Sequence, residues 1–240
     1  MNTSETPTAG TEPQRRGIGA PSARSLVALV AAAALVVVTV TLVLIFGIAH
    51  PPELVSLAEE PDPAPSASVA WISGEQERSC VYLATPDGHH EQLTCDEDEL
   101  GEVVAWDDDG VVVRTWWPRD ELRWFDPSTG EEVDAVVLDE PEEISRRHRS
   151  EISTRVRDGV LTVTVAESGE VLWAVEAVEG YRVNQGAVSP DGQWVAMFDS
   201  ASRLLVVPAD GARPPRVWAE DAAHWELPIW EGTELERSAP

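Results

Sequence analysis

An all-β extracytoplasmic domain preceded by one transmembrane α-helix is the fold this 240-residue sequence predicts, on three observations. Near the N-terminus lies a long apolar run without a charge. Beyond it, short runs of β-branched and aromatic residues alternate with Gly, Pro and Asp turns. Nothing after the apolar run keeps a sustained helical period. The chain carries 43 acidic against 17 basic side chains, a formal net charge of −26. So acidic a surface repels phosphate backbones, which argues against nucleic acid as a partner.

The apolar run, residues 26–49, reads LVALVAAAALVVVTVTLVLIFGIA. A helix of that length rises roughly 36 Å, enough to cross a hydrocarbon core of about 30 Å with modest tilt. Arg15, Arg16 and Arg24 precede it, whereas residues 50–65 carry four acidic groups and no Lys or Arg. This asymmetry puts the N-terminus in the cytoplasm and the rest of the chain outside the plasma membrane, as a single-pass protein. A cleaved signal peptide is the competing reading, since Gly47-Ile48-Ala49 suits small-x-small cleavage. Against it, the run is far longer than the roughly 7–15 apolar residues of such a segment. From His50 onward, with Glu5, Glu12 and the three leader arginines set aside, 41 acids face 14 arginines. Residues 1–25, rich in Ser, Thr, Pro and Gly, lack the apolar groups for a core and are expected to be a disordered cytoplasmic tail. Residues 50–66 hold five prolines and are expected to form an extended linker. The outer domain is predicted over 67–234, with 235–240 as a short tail.

The strand candidates of the outer domain are VAWI, CVYLA, EVVAW, VVVRTWW, LRWF, VDAVVL, VLTVTV, EVLWAV, QWVAMF, LLVV and PRVWA. Turns such as TPDGHH, DPSTG, AESG, SPDG and PADG separate them. Residues 140–151, EPEEISRRHRSE, read as a loop or a single helical turn. Two segments overlay: residues 104–136 on 187–218, matching Asp109-Gly110 to Asp191-Gly192 and Gly130 to Gly211. Each then reads as a four-stranded antiparallel unit. With Gly74, Gly159 and Gly232 as further anchors, the spacing approaches the period of about 40–45 residues of propeller blades, which gives three or four of them. Such blades bury both faces, so their inner strands should be apolar throughout. Trp71, Trp106, Trp124, Trp173 and Trp194 fall inside these strands and are expected in the core.

The stretch Ser189-Pro190-Asp191-Gly192-Gln193-Trp194-Val195-Ala196-Met197-Phe198 resembles the repeat of TolB-type, WD-repeat-like β-propellers, and LRWFDPSTGEEV is similar to the outer hairpin of their blades. The resemblance implies a β-propeller-like domain of about four blades, with incomplete blades expected among them. Alternatives are an open β-sheet array, or a ring completed by another subunit.

Cys80 and Cys95 flank a Pro-Asp-Gly turn, and positions summing to 175 place them directly opposite in a hairpin with a four-residue loop from Pro86 to His89. In an oxidising compartment they are expected to form a cross-strand disulfide; two free thiols or a redox couple are the competing readings.

No catalytic constellation is present: Gly-x-Ser-x-Gly, His-Glu-x-x-His and phosphate-binding glycine loops are all missing. The chain is therefore expected not to be an enzyme, and no cofactor or metal is implied. His89 and His90 at a hairpin tip, and the runs Asp96–Glu99 and Asp107–Asp109, read as solvated surface. Trp116 and Trp117 remain as a candidate binding pair, since of two consecutive strand residues one faces outward. Arg146, Arg147 and Arg149 form the one basic cluster of the acidic domain and are candidates for pairing with an anionic cell-envelope partner. The expectation is a membrane-anchored extracytoplasmic binding scaffold for a protein or cell-wall partner. Alternatives are an envelope sensor acting through the cytoplasmic tail, and a wall hydrolase with paired carboxylates.

Overall fold

The computed structural model describes residues 51–75, 78–96, 99–117, 120–137, 150–222 and 226–235. The expected span at 26–49 and the tail before it lie outside the described residues. Among the described residues no helix is long and apolar enough to cross a membrane.

The described residues form four antiparallel sheets. The first joins β1 (Val69–Glu75), β2 (Arg78–Ala84) and β3 (His90–Asp96) to the last strand of the chain, β15 (Ile229–Trp230), in the order β15-β1-β2-β3. The second is a meander of β4 (Glu99–Asp107), β5 (Gly110–Trp117), β6 (Glu121–Phe125) and β7 (Glu132–Val137). The third has three strands, β8 (Ile152–Arg157), β9 (Val160–Val165) and β10 (Val171–Glu176). The fourth is again a meander: β11 (Val183–Val188), β12 (Trp194–Asp199), β13 (Leu204–Pro208) and β14 (Arg216–Ala219). Successive antiparallel meanders, three of the sheets four-stranded and one three-stranded, with the C-terminal strand completing the N-terminal sheet, make a propeller-like all-β fold.

All eleven expected strand runs are strands. Four strands have no counterpart among those runs: β3, β8, β11 and β15. HEQLTCD, ISTRVR and VNQGAV are too polar for an apolar-run criterion, and Ile229-Trp230 is too short.

Period-two geometry explains how the continuous apolar runs are used. Trp194, Ala196, Phe198, Leu204 and Val206 pack toward the first sheet, with Trp71, Trp218 and Trp230. The residues between them, Val195, Met197, Leu205 and Val207, pack toward the third sheet, with Leu161, Val163 and Trp173. The first sheet divides in the same way: Val69 and Trp71 face the fourth sheet, while Ala70 and Ile72 join Val103, Trp106, Val111 and Val113 of the second. Each side chain in such a strand is hidden, which is why the runs are apolar at every position. Trp71, Trp106, Trp124, Trp173 and Trp194 are all buried, as expected.

The sheets thus stack in the order second, first, fourth, third. The third sheet buries one face only. Ile152, Leu161, Val163 and Trp173 point into the shared core, and Ser153, Arg155, Arg157, Thr162 and Thr164 lie on the other side. The alternation in VLTVTV encodes this one-sided burial. Among the described residues, no hydrophobic cluster joins the third sheet to the second.

Residues 51–66, expected as an extended linker, lie instead along the fourth sheet as a strap. Ser56 bridges Val217 in parallel, the Leu57 amide donates to the Val217 carbonyl at 2.7 Å, and the Val217 amide donates to the Val55 carbonyl at 2.9 Å. Leu57 is fully buried in the core between the first and fourth sheets. A proline-rich backbone has few amides but many carbonyls, and arginines satisfy them. Arg203 donates to Pro52, Arg213 to Asp62, and Arg216 to both Glu60 and Pro63. The Arg203 guanidinium is itself held by Asp199 at 2.7 Å, and Asp199 also accepts from the Tyr181 hydroxyl at 3.1 Å.

The repeat anchors differ from those expected. Gly110 and Gly192 occupy equivalent turns into β5 and β12, as the overlay requires, but Gly74 lies inside β1. The equivalent outer hairpins carry Gly88, Gly130, Gly169 and Gly211, each with φ between 63° and 88°. Three of them press on a neighbouring edge. A β-carbon at Gly130 would lie 2.2 Å from the Leu93 carbonyl oxygen of β3, one at Gly211 2.3 Å from that of Val171 in β10, and one at Gly88 2.6 Å from the Ala58 amide of the strap. Among the described residues a β-carbon at Gly169 would meet nothing within 4 Å.

Leu57→Ala should lower unfolding free energy by about 2–5 kcal/mol, measured by urea denaturation, because it empties a filled core site. Gly169→Ala should cost only the left-handed backbone penalty of about 1–2 kcal/mol. Gly130→Ala should cost clearly more in the same assay, since a carbonyl oxygen occupies the added methyl's place.

Candidate functional site

The disulfide between Cys80 and Cys95 is present, with the two residues directly paired across β2 and β3 and Cα atoms 4.1 Å apart. The loop differs from the four residues expected. Thr85 donates to the His89 carbonyl at 2.9 Å, leaving three residues between them. A bulge at Leu93, where the pairing shifts between Val81 and Tyr82, restores the register that brings the cysteines together. The bulged Leu93 is the residue whose carbonyl meets Gly130.

Trp116 lies at the end of β5 with 53% of its surface exposed. Its indole covers Gly101, where a β-carbon would come within 2.5 Å of Nε1, so the absent side chain makes the seat for the ring. Trp117 continues β5, and its side chain lies outside the described residues. Arg146, Arg147 and Arg149 also lie outside the described residues.

A pocket that no motif signalled opens where the ends of β11 and β15 meet the residue before β8. It has a volume of about 270 Å³, and its walls include Glu151, Val188, Pro190, Leu227, Trp230 and Thr233. Trp230 is buried and donates its indole N–H to the Ala187 carbonyl at 2.9 Å. Ser150 and Glu151 tie the third sheet to the fourth: the Gly186 amide donates to the Ser150 hydroxyl oxygen at 3.3 Å, and the Val188 amide donates to Glu151 Oε2 at 2.6 Å. A carboxylate pinned by one oxygen beside apolar walls suits a ligand with an apolar body and a cationic or hydroxyl head. The pocket was hidden from sequence reasoning because its walls come from three distant segments, one of them the two-residue strand β15.

A second cluster of acids sits on β4 and nearby loops. Glu102 is buried beside Arg114 at 3.3 Å, and Arg114 holds Asp120 at 2.7 Å. Glu226 has its carboxyl pKa pushed up by burial and by repulsion from Glu102. Because Glu226 keeps its proton to higher pH in the folded chain than in the unfolded one, it lowers stability as pH rises above about 4.5.

No protein-family model matches the chain, and no curated protein matches it. Solved structures similar to it include an engineered GH43 glycoside hydrolase with endo-xylanase and exo-arabinofuranosidase activity, at 14% identity and a TM-score of 0.26 over 72% of this chain and 42% of that one. BamB from Moraxella catarrhalis is similar at 10% identity and a TM-score of 0.19, over 62% of this chain and 50% of BamB. AztD from Citrobacter koseri is similar at 11% identity and a TM-score of 0.22, over 70% of this chain and 51% of AztD. The chain spans about half the length of these proteins or less. The architecture therefore rests on the strand order and core packing of the chain itself.

Glu226→Gln should raise the melting temperature at pH 7 and leave it unchanged at pH 3, well below the 4.5 of the free carboxyl, where Glu226 carries its proton in both states. Scanning calorimetry at the two pH values checks this. An equal gain at both would trace the effect to packing and not to charge.

Proposed function

We propose that the chain is a single-pass membrane protein of the plasma membrane whose β-propeller-like outer domain is a non-catalytic binding scaffold for a protein or cell-envelope partner. The observation that supports it most is the pocket at the ends of β11 and β15, with its apolar walls and its pinned Glu151 carboxylate. Exposed Trp116, seated on Gly101, supplies a second contact that can stack on a ring or a peptide. The uncharged run at 26–49 and the arginines before it motivate the anchor and its orientation. Fold likeness alone would not assign a role, so the reading rests on these sites.

A hydrolase with paired carboxylates is the second reading, favoured by one observation: Glu226, with its raised pKa, is coupled to Glu102, which stands beside Arg114. A carboxyl whose pKa is raised beside a second carboxyl is the kind of pair that glycoside cleavage uses.

Capture from detergent-solubilised membranes with the full chain as bait tests both readings. The scaffold reading expects a defined partner that Leu227→Arg, which fills the pocket with charge, no longer retains. Release of soluble sugars from wall polymer that Glu226→Gln abolishes would overturn it in favour of hydrolysis.

A further inference from the structure

Among the described residues three arginines are buried, Arg114, Arg203 and Arg216, each 7% exposed. Two of them have the partner that a buried cation needs. Arg114 holds Asp120 at 2.7 Å and Glu102 at 3.3 Å, and Arg203 holds Asp199 at 2.7 Å. Arg216 differs. Its guanidinium donates to the Glu60 and Pro63 carbonyls of the strap and lies over the Trp194 ring, 5.8 Å from the centroid. Among the described residues no carboxylate forms an ion pair with it. Carbonyls and a ring face occupy its protons but offset its charge only in part.

A second cation stands beside it. Arg213 donates to the Asp62 carbonyl at 3.1 Å and, among the described residues, likewise forms no ion pair. Burial first, then repulsion from Arg213, lowers the Arg216 pKa from its ordinary value, against attraction from Glu60 and Asp62. Arg114 shifts upward through its bond to Asp120, and so does Arg203, where burial is overcome by bonding to Asp199. Arg213 and Arg216 line a cavity of about 140 Å³ between the strap and the turn that leads into β14. Two prolines lie between them on this wall, and the strap wall carries Leu54 with exposed Glu53 and Glu60. The cavity thus has a basic wall, an acidic wall and apolar groups in both.

We propose that this cavity binds a phosphate ester that carries an ammonium group, the phosphate oxygens accepting from Arg213 and Arg216 and the ammonium facing Glu53 and Glu60. Two guanidiniums suit phosphate better than carboxylate, since a single fork already satisfies both oxygens of a carboxylate. The glutamates decide the rest. A simple anion meets their repulsion and that of a chain of net charge −26, whereas an adjacent ammonium turns both into attraction. Because the two walls belong to different segments, the ligand also ties the strap to the fourth sheet. Two sources present this chemistry, a soluble ester and the headgroup of a membrane lipid. The second rests on the membrane-anchored reading, in which Glu53 follows closely on the span at 26–49.

Isothermal titration calorimetry of the full chain in phosphate-free detergent micelles tests the site, with glycerophosphoethanolamine as the probe. Saturable binding is expected, weakened about tenfold or more by Arg213→Gln and by Arg216→Lys, which keeps the charge and loses the fork. Glu53→Gln with Glu60→Gln should weaken the probe and strengthen inorganic phosphate, a reversal of preference that a damaged fold would not give. Far-ultraviolet circular dichroism identical to that of the native chain shows that the variants are folded. A native chain that binds no probe or prefers inorganic phosphate, or binding that the folded arginine variants retain, would overturn the proposal. Nanodiscs separate the sources. A lipid ligand predicts that discs of phosphatidylethanolamine, but not of phosphatidylglycerol, abolish probe binding; a soluble ligand predicts equal binding in both. A chain that stays outside the discs contradicts the membrane anchor alone, since the titration in micelles still decides the site.

Discussion

Two-sided burial is the constraint on which the structure depends. A four-stranded sheet with valine, leucine and tryptophan at successive positions has no face it can give to water. Val195 and Ala196, neighbours in β12, are fully buried in different clusters on opposite sides of one sheet. No sheet here is stable as an isolated layer. Burial of indoles is the largest contribution per residue, since each aromatic side chain removes about 150–250 Å² from water. The core between the first and fourth sheets uses it most densely, with Trp71 stacked on Tyr82 at 5.6 Å and Trp218 against Trp230 at 5.5 Å.

The ends of the stack follow from the same constraint. The third sheet alternates apolar and hydroxyl residues and can end the array on a polar face, as terminal repeats do elsewhere. The strap solves a different boundary. β14 would present a bare edge, and residues 55–57 cover it while Leu57 enters the core. The chain entering the domain is thereby fixed to the fourth sheet from Pro52 onward through Arg203.

Much of this was legible in the residues. Runs such as WVAMF and LLVV announce burial on both faces, and VLTVTV announces burial on one. The cysteine register was legible because both residues flank a single turn, although a bulge and a shorter loop delivered it. Three things were not. The strap was hidden because proline density reads as a spacer, and its anchoring depends on arginines some 150 residues away. The blade repeat was blurred because the glycines chosen as anchors mix inner turns with outer hairpins; Gly88, Gly130, Gly169 and Gly211, at steps of 42, 39 and 42 residues, carry the true period. The pocket and the Glu102–Glu226 pair join segments more than 35 residues apart, and no local pattern encodes such a meeting.

Native-state hydrogen exchange of the full chain, followed amide by amide against denaturant, tests mutual support between sheets most directly. The account predicts that β1, β5, β12 and β13 exchange only through one shared global opening, with one free energy and one denaturant dependence, while β7 and β10 at the margins open earlier. Separate opening of the first and fourth sheets, each with its own free energy and its own small denaturant slope, would contradict it.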